Sequence, residues 1–263
     1  MDLNRLFETL KTAGSVTPGE AWSQGRSLFG GLTAALMLAK LQHILDSPRR
    51  LRSLTVYFVG PVDAREPVYL EARILRVGKS VLQGEVHLLQ EGGVRAVLLA
   101  AYGEARHSAA RHTTLLPAPQ WQPPQNLSRK QDLNGLELPF LRDLDLRWAE
   151  GAEAFSGAEQ ASFGAYTRLR NQSGAFTLPH LLVLADGFPP APSVLLNRIA
   201  PMSSLTWTLE LLHELENISM DDFWQYRVET DHAAEGYGHT EAKMWDAHGN
   251  LTLISRQTVT VFG

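Results

Sequence analysis

A pattern that occurs twice along the 263 residues limits this chain more than any other feature of its sequence. The first copy opens at FGGLTAALMLAKLQHIL (29–45). There Leu32, Ala35, Leu36 and Ala39 fall at helical spacing, Gly30 and Gly31 stand at the start, and Pro48 lies beyond the end. Four runs of strand character follow at 53–58, 68–77, 80–90 and 94–105, with turns at GPVDAREP (60–67) and EGG (91–93). The second copy opens at TLPHLLVLADG (177–187), an apolar helix stopped by Gly187 and the Pro189-Pro190 pair. Strand runs at 204–212, 223–231, 239–246 and 250–262 follow, and the turn AHGN stands where EGG stood. Both copies begin their first strand with Ser-Leu-Thr, and Gly78 and Gly236 each fall between the middle strands of their half.

Strands joined mainly by short turns pair antiparallel. One apolar helix is the economical cover for the apolar face of such a sheet. The sequence therefore predicts an α+β chain: two tandem antiparallel sheets, each wrapped around a central helix, which is a double hot-dog arrangement. The expected modules are residues 1–105 and 141–263. Residues 106–140, with LLPAPQWQPPQN, are expected to form a linker crossing the outside of the domain.

The net charge of −4, from 24 basic and 28 acidic residues, gives no footprint for nucleic acid. The small cluster Arg49, Arg50 and Arg52 reads as a solvated loop in preference to a phosphate contact. The absence of cysteine excludes disulfides, thiolate nucleophiles and cysteine metal sites. Nine histidines form no HExxH, and no Gly-x-Ser-x-Gly elbow is present, so neither a metal centre nor a serine triad is expected. MDLNRLFETLKTAG lacks a signal-peptide core, and no apolar run approaches the roughly 20 residues of a membrane span, so a cytoplasmic location is the expectation.

Four places could carry chemistry. Asp186 is the one acidic residue in an otherwise apolar helix, at the end where the helix dipole disfavours it. Alternation along 250–262 puts Gln257 with Leu251, Leu253, Ser255, Val259 and Val261, so its amide points to the core side and needs partners. Gly30 and Gly31 open a helix whose free backbone N–H groups could meet a carbonyl oxygen. Ser204 is harder to place. Alternation groups it with Thr206, Thr208 and Glu210, opposite Leu205, Trp207 and Leu209, so it points inward only if it precedes the regular strand or a bulge turns it. Thr206 is the other candidate hydroxyl.

FGG at 29–31, LADG at 184–187, SLT at 204–206 and SRQTVTV near the C-terminus make the chain resemble the TesB-like acyl-CoA thioesterase II family over most of its length outside the linker. The resemblance implies an acyl-CoA substrate, water as nucleophile, and no metal or organic cofactor. It implies catalytic roles for Asp186, Gln257 and Ser204, or Thr206 in place of Ser204, and substrate contacts at Phe29, Gly30 and Gly31. The chain departs from the family after Ser-Leu. There Thr206-Trp207 and LLHEL replace the Asp-His and aromatic-His-Arg-Pro stretches. The first half has neither an acid in its helix nor a glutamine in its last strand, which predicts one active site per chain. A non-catalytic acyl-CoA binder and an enoyl-thioester hydratase are the competing functions; the hydratase would want an acid–histidine pair that the helix lacks. Exposed sheet edges predict a homodimer or larger homo-oligomer.

Overall fold

The computed structural model describes residues 2–45, 47–110, 112 and 116–262. Three helices carry the core: α1 (Leu3–Thr12), α2 (Gly30–Ile44) and α3 (Leu178–Ala185). Leu32, Ala35, Leu36 and Ala39, which fall at helical spacing, are all buried. In the structure every side of α2 from Gly31 to Ala39 is buried, as is all of α3 from Pro179 to Ala185. A helix apolar all round must be enclosed, and an eleven-stranded antiparallel sheet, with α1, encloses this pair.

The strands are β1 (Ser15–Val16), β2 (Ser23–Gln24), β3 (Ser27–Leu28), β4 (Arg50–Phe58), β5 (Val68–Val77), β6 (Val81–Gln90), β7 (Gly93–Gly103), β8 (Leu144–Gly151), β9 (Ser162–Leu169), β10 (Met202–Leu211), β11 (Trp224–Ala234), β12 (Tyr237–Trp245) and β13 (Leu251–Val261). β2 and β3 form a separate hairpin. The remaining order is β1-β5-β6-β7-β4-β10-β13-β12-β11-β9-β8. The run β5-β6-β7-β4 and the run β11-β12-β13-β10 are the same four-strand arrangement, met twice and joined where β4 pairs with β10 from Tyr57↔Thr206 to Ser53↔Glu210.

The predicted strands and both predicted helices are present, with ends shifted by a few residues. The expected pair of separate sheets is instead one sheet, because the two first strands satisfy each other's edge hydrogen bonds. Two strands on the outer edge, β8 and β9, were not anticipated, nor was α1. Arg49, Arg50 and Arg52 do not form a solvated loop. They sit at the start of β4, where Arg49 donates to the Gly78 and Lys79 carbonyls, Arg52 donates to the Gly103 carbonyl, and Arg50 pairs with Glu214. Residues 116–130 run over the second half, held by bonds from Trp245 to Leu116, Gln225 to Pro119 and Arg147 to Pro124.

The helices α2 and α3 lie antiparallel, so the fold has two helix-end junctions. At one, α1 is packed in: the Phe7 carbonyl is bonded by His43 of α2 at 2.9 Å, and the Phe7 ring meets the edge of His180 of α3 at 5.1 Å. His180 is fully buried at the third position of α3, where its Nδ1 accepts from the Thr177 backbone N–H. Burial pushes its pKa down to about 4. The folded chain therefore prefers neutral His180 while the unfolded chain protonates near pH 6.5. Stability from this group is complete above about pH 6.5 and declines toward pH 4, by about 2 kcal/mol between pH 7 and pH 5. The His180 share is read as the difference between wild type and His180→Phe: in urea unfolding, lowering the pH from 7 to 5 is expected to cost the wild type about 2 kcal/mol more than the variant, and the same pH dependence in both would contradict it.

Candidate active site

The second junction is built differently. Asp186 caps the C-terminus of α3 with φ −100° and ψ 2°, its own N–H bonded to the Leu182 and Leu184 carbonyls. The N-terminus of α2 meets it head on. A Cβ on Gly30 would lie 2.8 Å from Asp186 Oδ2, and one on Gly31 would lie 2.9 Å from Asp186 Cβ and 2.6 Å from the Phe29 ring. Any side chain at either position would push the carboxyl away, so the glycine pair is a requirement of this approach.

Gln257, on β13, closes the other side: its Nε2 donates to Asp186 Oδ1 at 2.8 Å. This is the inward direction read from alternation. Asp186 keeps some surface on a neighbouring cavity, but its carboxyl is packed closely enough that desolvation pushes the pKa up to about 7, against the opposing pull of the Gln257 amide and the Gly31 backbone N–H. Burial, with the Asp186 charge adding to it, raises the phenol of Tyr226, which stacks on Phe188 at 4.3 Å.

The cavity holds about 380 Å³ and is walled by Gly30 and Thr33 of α2, Asp186, Gln257, Ser204 and apolar residues that include Phe58 and Phe188. Ser204 reaches it through a bulge. Along β10 and β13, Ser204 pairs with Val259 and Thr206 with Thr258, which leaves Leu205 without a partner. The extra residue reverses the alternation, so Ser204 shares the inner face with Trp207, whose partner is Gln257. Thr206 points to the opposite face with Thr258 and does not line the cavity. Phe29 does not line it either: it is fully buried behind Gly31, stacked on Phe140 at 4.1 Å. Gly31 also lies outside the lining, and its N–H serves the Asp186 carboxyl.

Sequence reasoning missed Thr33, Phe58, Phe188 and Arg95 among the walls. Thr33 lies one helical turn after Phe29, on the side of Gly30, and could have been found once that side was taken as the site. No group of three or more histidine, aspartate or glutamate side chains among the described residues could hold a metal ion.

Comparison with known proteins identifies the family and the fold. Residues 18–103 match a family model of the acyl-CoA thioesterase N-terminal domain, and residues 114–261 match one of the C-terminal domain. Among solved structures, a conserved hot-dog protein of unknown function from Alicyclobacillus acidocaldarius superimposes with a TM-score of 0.84 at 22% identity, covering 98% of both chains. A putative thioesterase II from Thermobifida fusca gives 0.80 at 19% identity over 98% of this chain and 97% of that one. The acyl-CoA thioesterase II TesB2 of Mycobacterium marinum gives 0.70 at 20% identity over 89% of each. At such identities the likeness establishes a shared hot-dog fold. A search of the curated proteins finds no match.

The buried carboxyl has a measurable cost. Its pKa is raised on folding, so the folded chain loses stability as the pH climbs from about 4 through about 7. Asp186→Asn removes the charge and should stabilise the chain, with a gain over wild type that grows by about 2–3 kcal/mol between pH 5 and pH 8. Urea unfolding of both proteins at the two pH values tests this, and a variant equally destabilised at both would contradict it.

Proposed function

We propose, from the premise that this chain belongs to the acyl-CoA thioesterase family, that it hydrolyses acyl-CoA with a water activated by Asp186. The protein is a thioester hydrolase by that membership. The observation that carries the choice of base is the contact among Asp186, Gln257 and the α2 glycines, with the carboxyl pKa near 7.

A thioester carbonyl is already electrophilic. The enzyme must supply a base for water, hold the water at the carbonyl carbon, and stabilise the oxyanion. In this reading Asp186 takes a proton from water as the water oxygen bonds to the carbonyl carbon. The oxyanion meets the free N–H of Gly30 at the positive end of α2. Collapse of the tetrahedral intermediate breaks the carbon–sulfur bond, and the Asp186 proton passes to the departing thiolate. The products are the free acid and CoA, with the carboxylate regenerated. Gln257 orients the carboxylate, and the Ser204 hydroxyl is a second contact for the water. A pKa near 7 lets one group both accept and return a proton at neutral pH.

Hydration of an enoyl thioester has less support. The histidine of α3, His180, is packed against Phe7 and Phe176, six residues from Asp186. The first half has no acid within α2 and no glutamine on β7, which supports one site per chain. The same reading takes the two four-strand runs as two hot-dog modules, residues 1–105 and 141–263, bridged by 106–140. Association into a homo-oligomer through exposed sheet surface is part of it and is read by light scattering. No helix among the described residues is long and apolar enough to cross a membrane.

Thiol release from acyl-CoA substrates of graded chain length tests the assignment. Asp186→Asn is expected to lower kcat by about 10²–10⁴-fold, the usual contribution of a general base. Ser204→Ala should lower it more than Thr206→Ala. Wild-type kcat should rise with pH through about 7, as Asp186 ionises. Undiminished activity in Asp186→Asn would reject the base, and no thiol release at any chain length would favour a binding protein.

A further inference from the structure

The walls of the catalytic cavity hold two charged side chains, Asp186 and Arg95. Arg95 is not used by the chemistry above. It sits on a second bulge: β6 and β7 pair Leu88 with Ala96 and Leu89 with Val94, so Arg95 has no strand partner. Its carbonyl is turned to the segment after β4, where it accepts from the Val59 and Gly60 N–H groups. Its side chain runs beside Gly60, one guanidinium nitrogen lying 3.5 Å from where a Gly60 Cβ would be. Bulges beside active sites re-aim side chains, and this one carries a cation from the outer face of β7 to the cavity.

The guanidinium is incompletely satisfied. Its Nε is buried and has no hydrogen-bond partner among the described residues. One terminal nitrogen bonds Glu91 Oε2 at 2.9 Å, but the Glu91 side chain is 78% exposed and the Arg95 side chain 27%. An exposed ion pair of this kind is weak and is readily exchanged for a better anion. Arg95 therefore stands at the rim of the cavity, with Asp186 inside. The β2–β3 hairpin also lines the cavity, with Gln24 and Ser27, and carries exposed Arg26 at its turn.

From this geometry we propose that Arg95 recognises the diphosphate of coenzyme A, with Glu91 as the counter-ion that the diphosphate displaces. The proposal rests on the acyl-CoA reading of the site. A cavity of about 380 Å³ has room for the thioester and its neighbouring atoms, so the nucleotide end of the substrate lies outside, past the rim. A planar guanidinium suits bidentate phosphate recognition. A carboxylate at the far end of an acyl chain would carry the same kind of oxygen. It is the weaker candidate, because Arg95 is at the entrance and its present partner faces solvent.

The test is calorimetric titration of CoA and of pantetheine, which lacks the phosphates, into the wild-type chain, Arg95→Gln and Glu91→Gln. Loss of a charge-assisted contact should weaken CoA in Arg95→Gln by roughly tenfold or more. Pantetheine should be unaffected, and the salt dependence of CoA binding should flatten. Glu91→Gln should bind CoA more tightly than wild type. Unchanged CoA affinity in Arg95→Gln, an equal loss for pantetheine, or no saturable CoA binding by the wild-type chain would overturn the proposal. A defect confined to carboxylate-terminated acyl-CoA substrates, with CoA affinity intact, would overturn the diphosphate assignment. These titrations do not depend on turnover, so failure of Asp186 as the base would leave their result readable.

Discussion

The structure turns on the meeting of two helix ends, the glycine start of α2 and the aspartate that closes α3. A carboxylate at a helix C-terminus, enclosed by apolar residues, is unfavourable on its own. Here the positive end of a second helix faces it, the Gly31 N–H serves it, and the Gln257 amide holds one oxygen at 2.8 Å. The compensation is incomplete: desolvation still lifts the pKa to about 7. In the proposed mechanism that unfavourable burial is the property a water-activating base requires, so stability and reactivity would be opposed in the same group.

The rest of the fold supplies what this contact needs. Each half contributes a helix and a four-strand run, and the β4–β10 pairing locks the halves so that the two helices lie antiparallel. Antiparallel packing creates two junctions from one geometry. At one, Gly30, Gly31 and Asp186 face a cavity. At the other, α1 fills the space with Phe7 between His43 and His180. The repeated helix-and-strand arrangement thus carries two unlike junctions, because the residues at the helix ends differ.

Much of this was legible in the sequence. Helical spacing with terminal glycine and proline located α2 and α3, and turn residues located the strands of both repeats. Asp186 was visible as an acid on an apolar helix, and Gln257 as an amide on the inner face of its strand. The bulges were not legible, because alternation assumes one residue per partner: Leu205 breaks it for Ser204, and Arg95 has no partner opposite it on β6. Nor was the placement of Phe29 and Gly31. The FGG motif marks the helix start, but only the packing shows that Phe29 turns into the core against Phe140, with Gly30 left facing the cavity. The outer strands β8 and β9 were not legible because they lack alternation: β9 is buried without a break from Phe163 to Thr167, and the buried residues of β8 are consecutive at its start.

Titration of the Asp186 carboxyl tests the account most directly. With aspartate carboxyl carbons labelled and the Asp186 resonance assigned from Asp186→Asn, its chemical shift can be followed by NMR from pH 4 to pH 9. A midpoint near 7 is the expected result. A midpoint in the ordinary aspartate range, near 4, would mean that the carboxyl is solvated and already ionised, and that the junction of the two helices does not make it a base.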